Sequence, residues 1–341
     1  MERDLPNSEI LILYEAKNCN PNGDPDAENR PRIDPKTNVN YVSDVRLKRY
    51  FRDYLVDKFG EDHIYVTKVS GESVRADKRV KKLLGIEGKE DEKAENLKKR
   101  ANELLNKCID ARLFGATLPL GGGVGEERGA AKSFIGPVQF TWGFSLHKVE
   151  LMDSSTITSV FSGREATKGE DAWGEVAGHY GTIGRDWRVY YSLIGFYGVV
   201  SGRRARGTGM TESDLKVLDN LLWVALCNQP TTRSKIGERP HLYLRVEYLD
   251  ADTVLGDLRK FIKCSPNREP IRDFEDLNLN FEGLVNHISK NSGAISKVYL
   301  RTSDELIAVK DKIADCCKER FFALPHQLAA AELEAAVKGR A

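Results

Sequence analysis

The stretch Ser8 to Ala16 (SEILILYEA) is apolar almost throughout and rich in β-formers, which predicts a first strand. A polar stretch from Lys17 to about Asn40 follows, broken by Pro21, Pro25, Pro31 and Pro35, and its length marks it as a functional loop rather than a simple connection. Ser43 then stands as the N-cap of a helix through Leu55. In that helix Leu47, Phe51, Tyr54 and Leu55 share one face, while Arg46, Arg49 and Asp53 project from the other. A charged helix is expected over Gly88 to Ile109, a flexible glycine run at Gly121 to Gly125, and a strand from Phe134 to Val149.

Ser162 to Arg185, rich in glycine and charge with isolated aromatics, reads as an insertion, after which Trp187 to Val200 resumes as a buried strand. Thr211 with Asp214 opens a helix that reaches Cys227, and His241 to Tyr248 alternates as a half-buried strand. The order is strand, helix, strand, strand, helix, strand with long inserts, an α+β class and the ferredoxin-like or RRM-type series. Residues 251–341 are expected to form a helical C-terminal extension, including Leu328 to Ala336.

The chain has 341 residues, 40% hydrophobic and 30% charged, enough for a large core, and no apolar run approaches the roughly 18 residues that span a bilayer. A membrane partner is therefore not expected. The first residues lack the pattern of a secretory signal, so a cytoplasmic location is expected. Six scattered cysteines without metal-ligand spacing read as reduced, mostly buried thiols. Lys and Arg (52) nearly balance Asp and Glu (51), so any polyanion must be held by local basic clusters rather than by the overall field.

Enzyme signatures fail at their spacing. Lys132-Ser133 lacks the glycine of a phosphate loop immediately before it, and Gly202 and Gly207 are followed by Thr208-Gly209 rather than by a lysine. Gly143 to His147 lacks the second glycine of a nucleophile elbow. Asp24, Asp26, Glu28 and Asp34 are carboxylates at loop spacing, but the prolines between them favour turn-forming roles over a metal site. Neither a cofactor nor a metal is expected.

The loop Asn20-Pro21-Asn22-Gly23-Asp24-Pro25, closing with Pro31-Arg32-Ile33-Asp34-Pro35 and followed by Ser43 to Arg49, resembles the CRISPR Cascade backbone family, Cas-seven. Gly136 to Phe140, Ile157 to Phe161, Thr208 to Leu215 and Thr232 to Gly237 recur in the family's order, and the last resembles subtype I-B. These motifs cover about residues 8 to 250. The resemblance implies a palm over 1–250, with helical fingers inserted near 60–132 and a thumb β-hairpin near 162–186. It also implies a non-catalytic subunit that binds a CRISPR guide RNA, stacks head to tail with copies of itself beside other Cascade subunits, and presents the guide for pairing with target DNA.

The residues can be read toward that role. Arg46 and Arg49, flanked by Lys48, are expected to line one groove facing phosphates, with Ser43 offering a hydroxyl and free N–H groups to an anion. Arg203, Arg204 and Arg206, in a loop between glycines, and Arg233 with Lys235 are further RNA-binding candidates. Asn20, Asn22 and Gly23 are turn formers by type, and the resemblance places them beside RNA. Phe161, Trp173, His179 and Tyr180 are candidates to displace a base in the thumb. An alternative, implied by type III relatives, is target-RNA cleavage by Asp171 or Asp186 with Mg²⁺. A generic single-stranded RNA binder is the third reading.

Overall fold

The computed structural model describes residues 5–86, 94–119, 131–153, 155–159, 182–228 and 233–338. The first strand, β1 (Ser8–Cys19), lies inside an eight-stranded sheet. After it come β2 (Val39–Val42), α1 (Asp44–Phe59), α2 (Ala76–Leu84), α3 (Ala94–Lys107) and α4 (Ile109–Phe114). β3 (Gly115–Pro119) pairs antiparallel with β4 (Ala131–Ile135), and β5 (Val138–Phe140) and β6 (Gly143–Lys148) return to the sheet. β7 (Thr156–Ser159) and β8 (Thr182–Arg185) pair with each other. Then follow β9 (Val189–Val200), α5 (Gly202–Thr208), α6 (Glu212–Cys227) and β10 (Glu238–Tyr248). The remainder forms β11 (Lys263–Pro266), β12 (Leu277–Asn280), α7 (Glu282–Lys290), β13 (Ile295–Thr302), α8 (Ile307–Cys317), β14 (Phe321–Ala323) and α9 (Ala330–Lys338).

The sheet order is β14-β13-β10-β1-β9-β6-β2, with β5 also pairing with β9. β1 is antiparallel to both neighbours, Leu13 lying opposite Gly195 of β9 and Leu242 of β10. Both faces are covered, which explains an unbroken apolar run where a half-exposed strand would alternate. Ile10, Ile12 and Tyr14 pack against Leu47 and Phe51 of α1, Leu218 and Leu222 of α6, and Leu333 of α9. Leu11 and Leu13 face the other way, toward Leu284 of α7 and Ile313 of α8. Residues between Tyr65 and Leu118 build a separate core, centred on Val80, Leu83, Leu104 and Leu105. Asp110 ties that region to α1, accepting from Arg52 Nε at 2.8 Å and from the backbone N–H of Tyr65 at 2.7 Å.

Four expectations change. The chain after 250 is not simply helical, because β13 and β14 extend the main sheet while α7 and α8 cover its second face. The single strand expected over 134–149 is three short ones. The charged helix breaks at Cys108, whose extended backbone separates α3 from α4. Of the six thiols, Cys19 and Cys108 are buried, Cys227 is exposed and the others are intermediate. Among the described residues no helix is long and apolar enough to cross a membrane.

Candidate nucleic-acid interface

At the end of the sheet where β1 finishes and β10 begins, three segments distant in sequence meet. The loop after β1 comes first. Asn20 is buried, donating its amide to the Asn29 carbonyl at 2.7 Å, while its backbone N–H donates to Ser234 O at 2.8 Å. Gly23 is required by close approach, since a Cβ there would lie 1.9 Å from Asn29 Oδ1. Asn22 Oδ1 receives both the Ser43 N–H and the Ser43 hydroxyl, at 2.9 and 3.0 Å. Ser43 does occupy the N-cap of α1, but its hydroxyl and N–H serve this loop instead of an anion. Asp24 and Asp34 accept from Asp26 N and Lys36 N two residues on, the Asx geometry of turn formers.

The row of cations expected along α1 does not form. Lys48 is buried, 2.9 Å from Asp44 and 5.6 Å from the centre of the Phe114 ring. Arg49 pairs with Asp53 at 2.6 Å. Arg46 lies over the Tyr50 ring at 4.2 Å, with Nε and Nη2 enclosed. The cause is helical geometry: residues 46 and 48 point about 200° apart at 100° per residue, so one face cannot carry both.

The third segment, 233–239, folds over the end of β1. Lys235 is half-buried, and its ammonium is engaged by the Asn20 carbonyl, to which it donates. Glu238 is buried beside it and accepts from Tyr50 Oη at 2.8 Å. Burial pushes the Glu238 carboxyl up to about 7. Burial, with Arg46 nearby, pulls the Lys235 ammonium down to about 8.

The exposed positive charge at this end lies elsewhere. An open cleft of about 630 Å³ is lined by the cations Lys17, Arg188, Arg233 and Arg239, by the carboxylates Glu15 and Glu238, and by Ile236 and Gly237. Arg188 reaches the Asn18 carbonyl at 2.8 Å and Asp186 at 2.8 Å, and Arg233 adds a contact to Asp186 at 3.3 Å. Lys17 pairs with Asp273 and Arg239 with Glu305. Neither Lys17, Arg188 nor Arg239 stands in a dense basic run, so only pairing of β1, β9 and β10 brings them together. Asp186, bracketed by two guanidiniums, is poorly suited to hold Mg²⁺. Among the described residues no three His, Cys, Asp or Glu side chains are grouped to hold a metal ion.

Arg203, Arg204 and Arg206 are not in a loop but in α5, which is capped by Ser201 and anchored by Gly202 N donating to Asn7 Oδ1 at 3.0 Å. Ser8 pairs with Val200 and Cys19 with Val189, so α5 sits at the opposite end of β1 from the cleft. At about 3.3 Å per residue, the twelve-residue strand separates the two by on the order of 36 Å. Arg203 pairs with Asp252 at 2.6 Å. Phe161, Asp171, Trp173, His179 and Tyr180 lie outside the described residues.

A family model described as CRISPR-associated protein Cas7 matches residues 6–282. A CRISPR-associated protein Cas7 of Haloferax volcanii is 35% identical over 307 residues, 87% of this chain and 86% of that one. Among solved structures, one described as a CRISPR RNA-guided surveillance complex contains a chain that is 13% identical, with TM-score 0.48, covering 98% of this chain and 99% of that chain. A chain from a pre-nicking form of such a complex is 12% identical, with TM-score 0.48, covering 98% and 100%.

Proposed function

The chain belongs to the CRISPR-associated protein Cas7 family, and on that premise we propose that it binds CRISPR guide RNA as a backbone subunit of a type I Cascade surveillance complex. Copies stack head to tail along the guide beside other Cascade subunits, leaving its bases to pair with target DNA. The subunit contributes binding and shape rather than catalysis, within the cytoplasm, and the Thr232 to Gly237 motif favours subtype I-B.

The observation that carries this reading is the cleft at the end of β1, where Lys17, Arg188, Arg233 and Arg239 converge beside Asn18. Four cations outnumber the two carboxylates, Glu15 and Glu238, around one opening, which suits a phosphate chain held by backbone contacts that carry no sequence information. Arg203, Arg204 and Arg206, at the far end of the strand, offer a second basic surface, as an open-ended head-to-tail assembly requires two different contact faces.

The reading extends to architecture. β1, α1, β6, β9, α6 and β10 form the series of a ferredoxin-like palm, with neighbouring strands antiparallel and both helices on one face. The separate core between Tyr65 and Leu118 supports fingers near 60–132, and the β7–β8 pair supports a thumb rooted at 156–159 and 182–185. Expression with a repeat-derived guide, purification and nuclease digestion test the function. Protected RNA of defined length on an oligomer is the expected result, and monomeric protein without RNA refutes it.

A further inference from the structure

Beside the cleft, which Glu238 also lines, is a cluster whose members come from four places in the chain: Tyr14 and Cys19 on β1, Tyr50 on α1 and Glu238 at the start of β10 are buried, while Arg46 on α1 and Lys235 in the loop are half-buried. Its hydrogen bonding is incomplete. Glu238 Oε2, Arg46 Nε and Nη2, Tyr14 Oη and Asn20 Oδ1 are all buried and have no hydrogen-bond partner. A buried carboxylate with one oxygen bonded and one orphaned is costly as an anion, and an ammonium beside a guanidinium is costly as a cation.

We propose that Glu238 and Lys235, two neighbouring titratable groups each tied to a different segment, position the 233–237 loop against the Asn20 loop and couple the charge at the cleft to RNA binding. The pair rests on the guide-binding reading and adds regulation to it. Geometry supplies the coupling: the Lys235 ammonium holds the Asn20 carbonyl, and Glu238 holds Tyr50, over whose ring Arg46 lies. Neither residue needs to touch RNA. Both are positioning residues, and Arg233, Ile236 and Gly237 are the parts of the same loop that line the cleft.

The direction follows from charge. At low pH the pair is an acid and an ammonium, with charge +1; as pH rises Glu238 ionises near 7, and Lys235 then loses its proton near 8. Each step lowers the net charge by one at a cleft that binds a polyanion, so affinity falls as pH rises. By linkage, RNA binding takes up protons between these values. Tyr14, Tyr50 and Cys19 are pushed upward by burial and do not titrate in this window.

The experiment measures affinity for a fluorescent single-stranded RNA from pH 6 to 8.5 at fixed ionic strength. Wild type is expected to weaken by about tenfold across the range, roughly three- to fivefold per charge. The E238Q/K235M pair of substitutions should bind with a nearly flat profile. Calorimetry of the wild type at pH 7.5, in two buffers of different ionisation enthalpy, should report net proton uptake, which needs no variant to fold. RNA binding with a flat wild-type profile and no proton uptake overturns the proposal and leaves the guide-binding reading standing. Absence of binding at every pH sinks that reading as well.

Discussion

Asn22 Oδ1 accepts from both the backbone N–H and the hydroxyl of Ser43, and so fastens the long loop after β1 to the start of α1. Asn22→Ala removes the acceptor and leaves the N–H of Ser43 without its partner, at a cost of about 1–3 kcal/mol. Urea unfolding should show the loss. Asn22→Asp keeps the oxygen and should recover most of it, and full stability of the alanine variant would show that the contact is dispensable.

Lys48 and Arg233 make opposite predictions about the RNA surface. Lys48→Met replaces a buried cation paired with Asp44 and should leave RNA affinity and its salt dependence nearly unchanged. Arg233→Ala with Arg239→Ala removes two cations from the cleft, and the slope of log affinity against log salt should fall by about 2. Binding titrations at four salt concentrations separate the two outcomes.

Gly237 has φ near 118°, and a Cβ there would meet the Lys17 carbonyl oxygen at 2.1 Å. The same stretch carries the Lys17 N–H to Gly237 O hydrogen bond at 2.9 Å. Gly237→Ala should therefore cost about 1–3 kcal/mol and displace the loop that lines the cleft. Unchanged thermal stability in a melting scan would contradict this.

Arg112 and Asp214 form an ion pair at 2.8 Å shielded from solvent. The guanidinium also donates to the carbonyls of Leu105, Asn106 and Ala336, so it joins α3, α6 and α9. Arg112→Met strands a buried carboxylate and should cost about 3–5 kcal/mol in denaturant unfolding. Adding Asp214→Leu should return less than the single variant lost, because Asp214 also caps α6 by accepting from Thr211 N at 2.9 Å.

Local chemistry along the chain was readable wherever a pattern repeats over neighbouring residues. The apolar run of β1, the spacing of Leu47 and Phe51, and Thr211 with Asp214 at the start of α6 each specify an element that the fold contains. Family membership was also legible, since the loop of Asn20 to Pro25 and the later motifs are written in consecutive residues.

What those residues face was decided only by tertiary structure. Arg46, Lys48 and Arg49 look alike as a basic run, yet packing against Phe114 and Tyr50 turns two of them inward. Lys17, Arg188 and Arg239 lie far apart in sequence and meet because β9 and β10 flank β1 in one register. Periodicity encodes which way a side chain leaves its own element; strand pairing over long separations sets its neighbours, and a twelve-residue strand is long enough to put two basic clusters at opposite ends of one molecule.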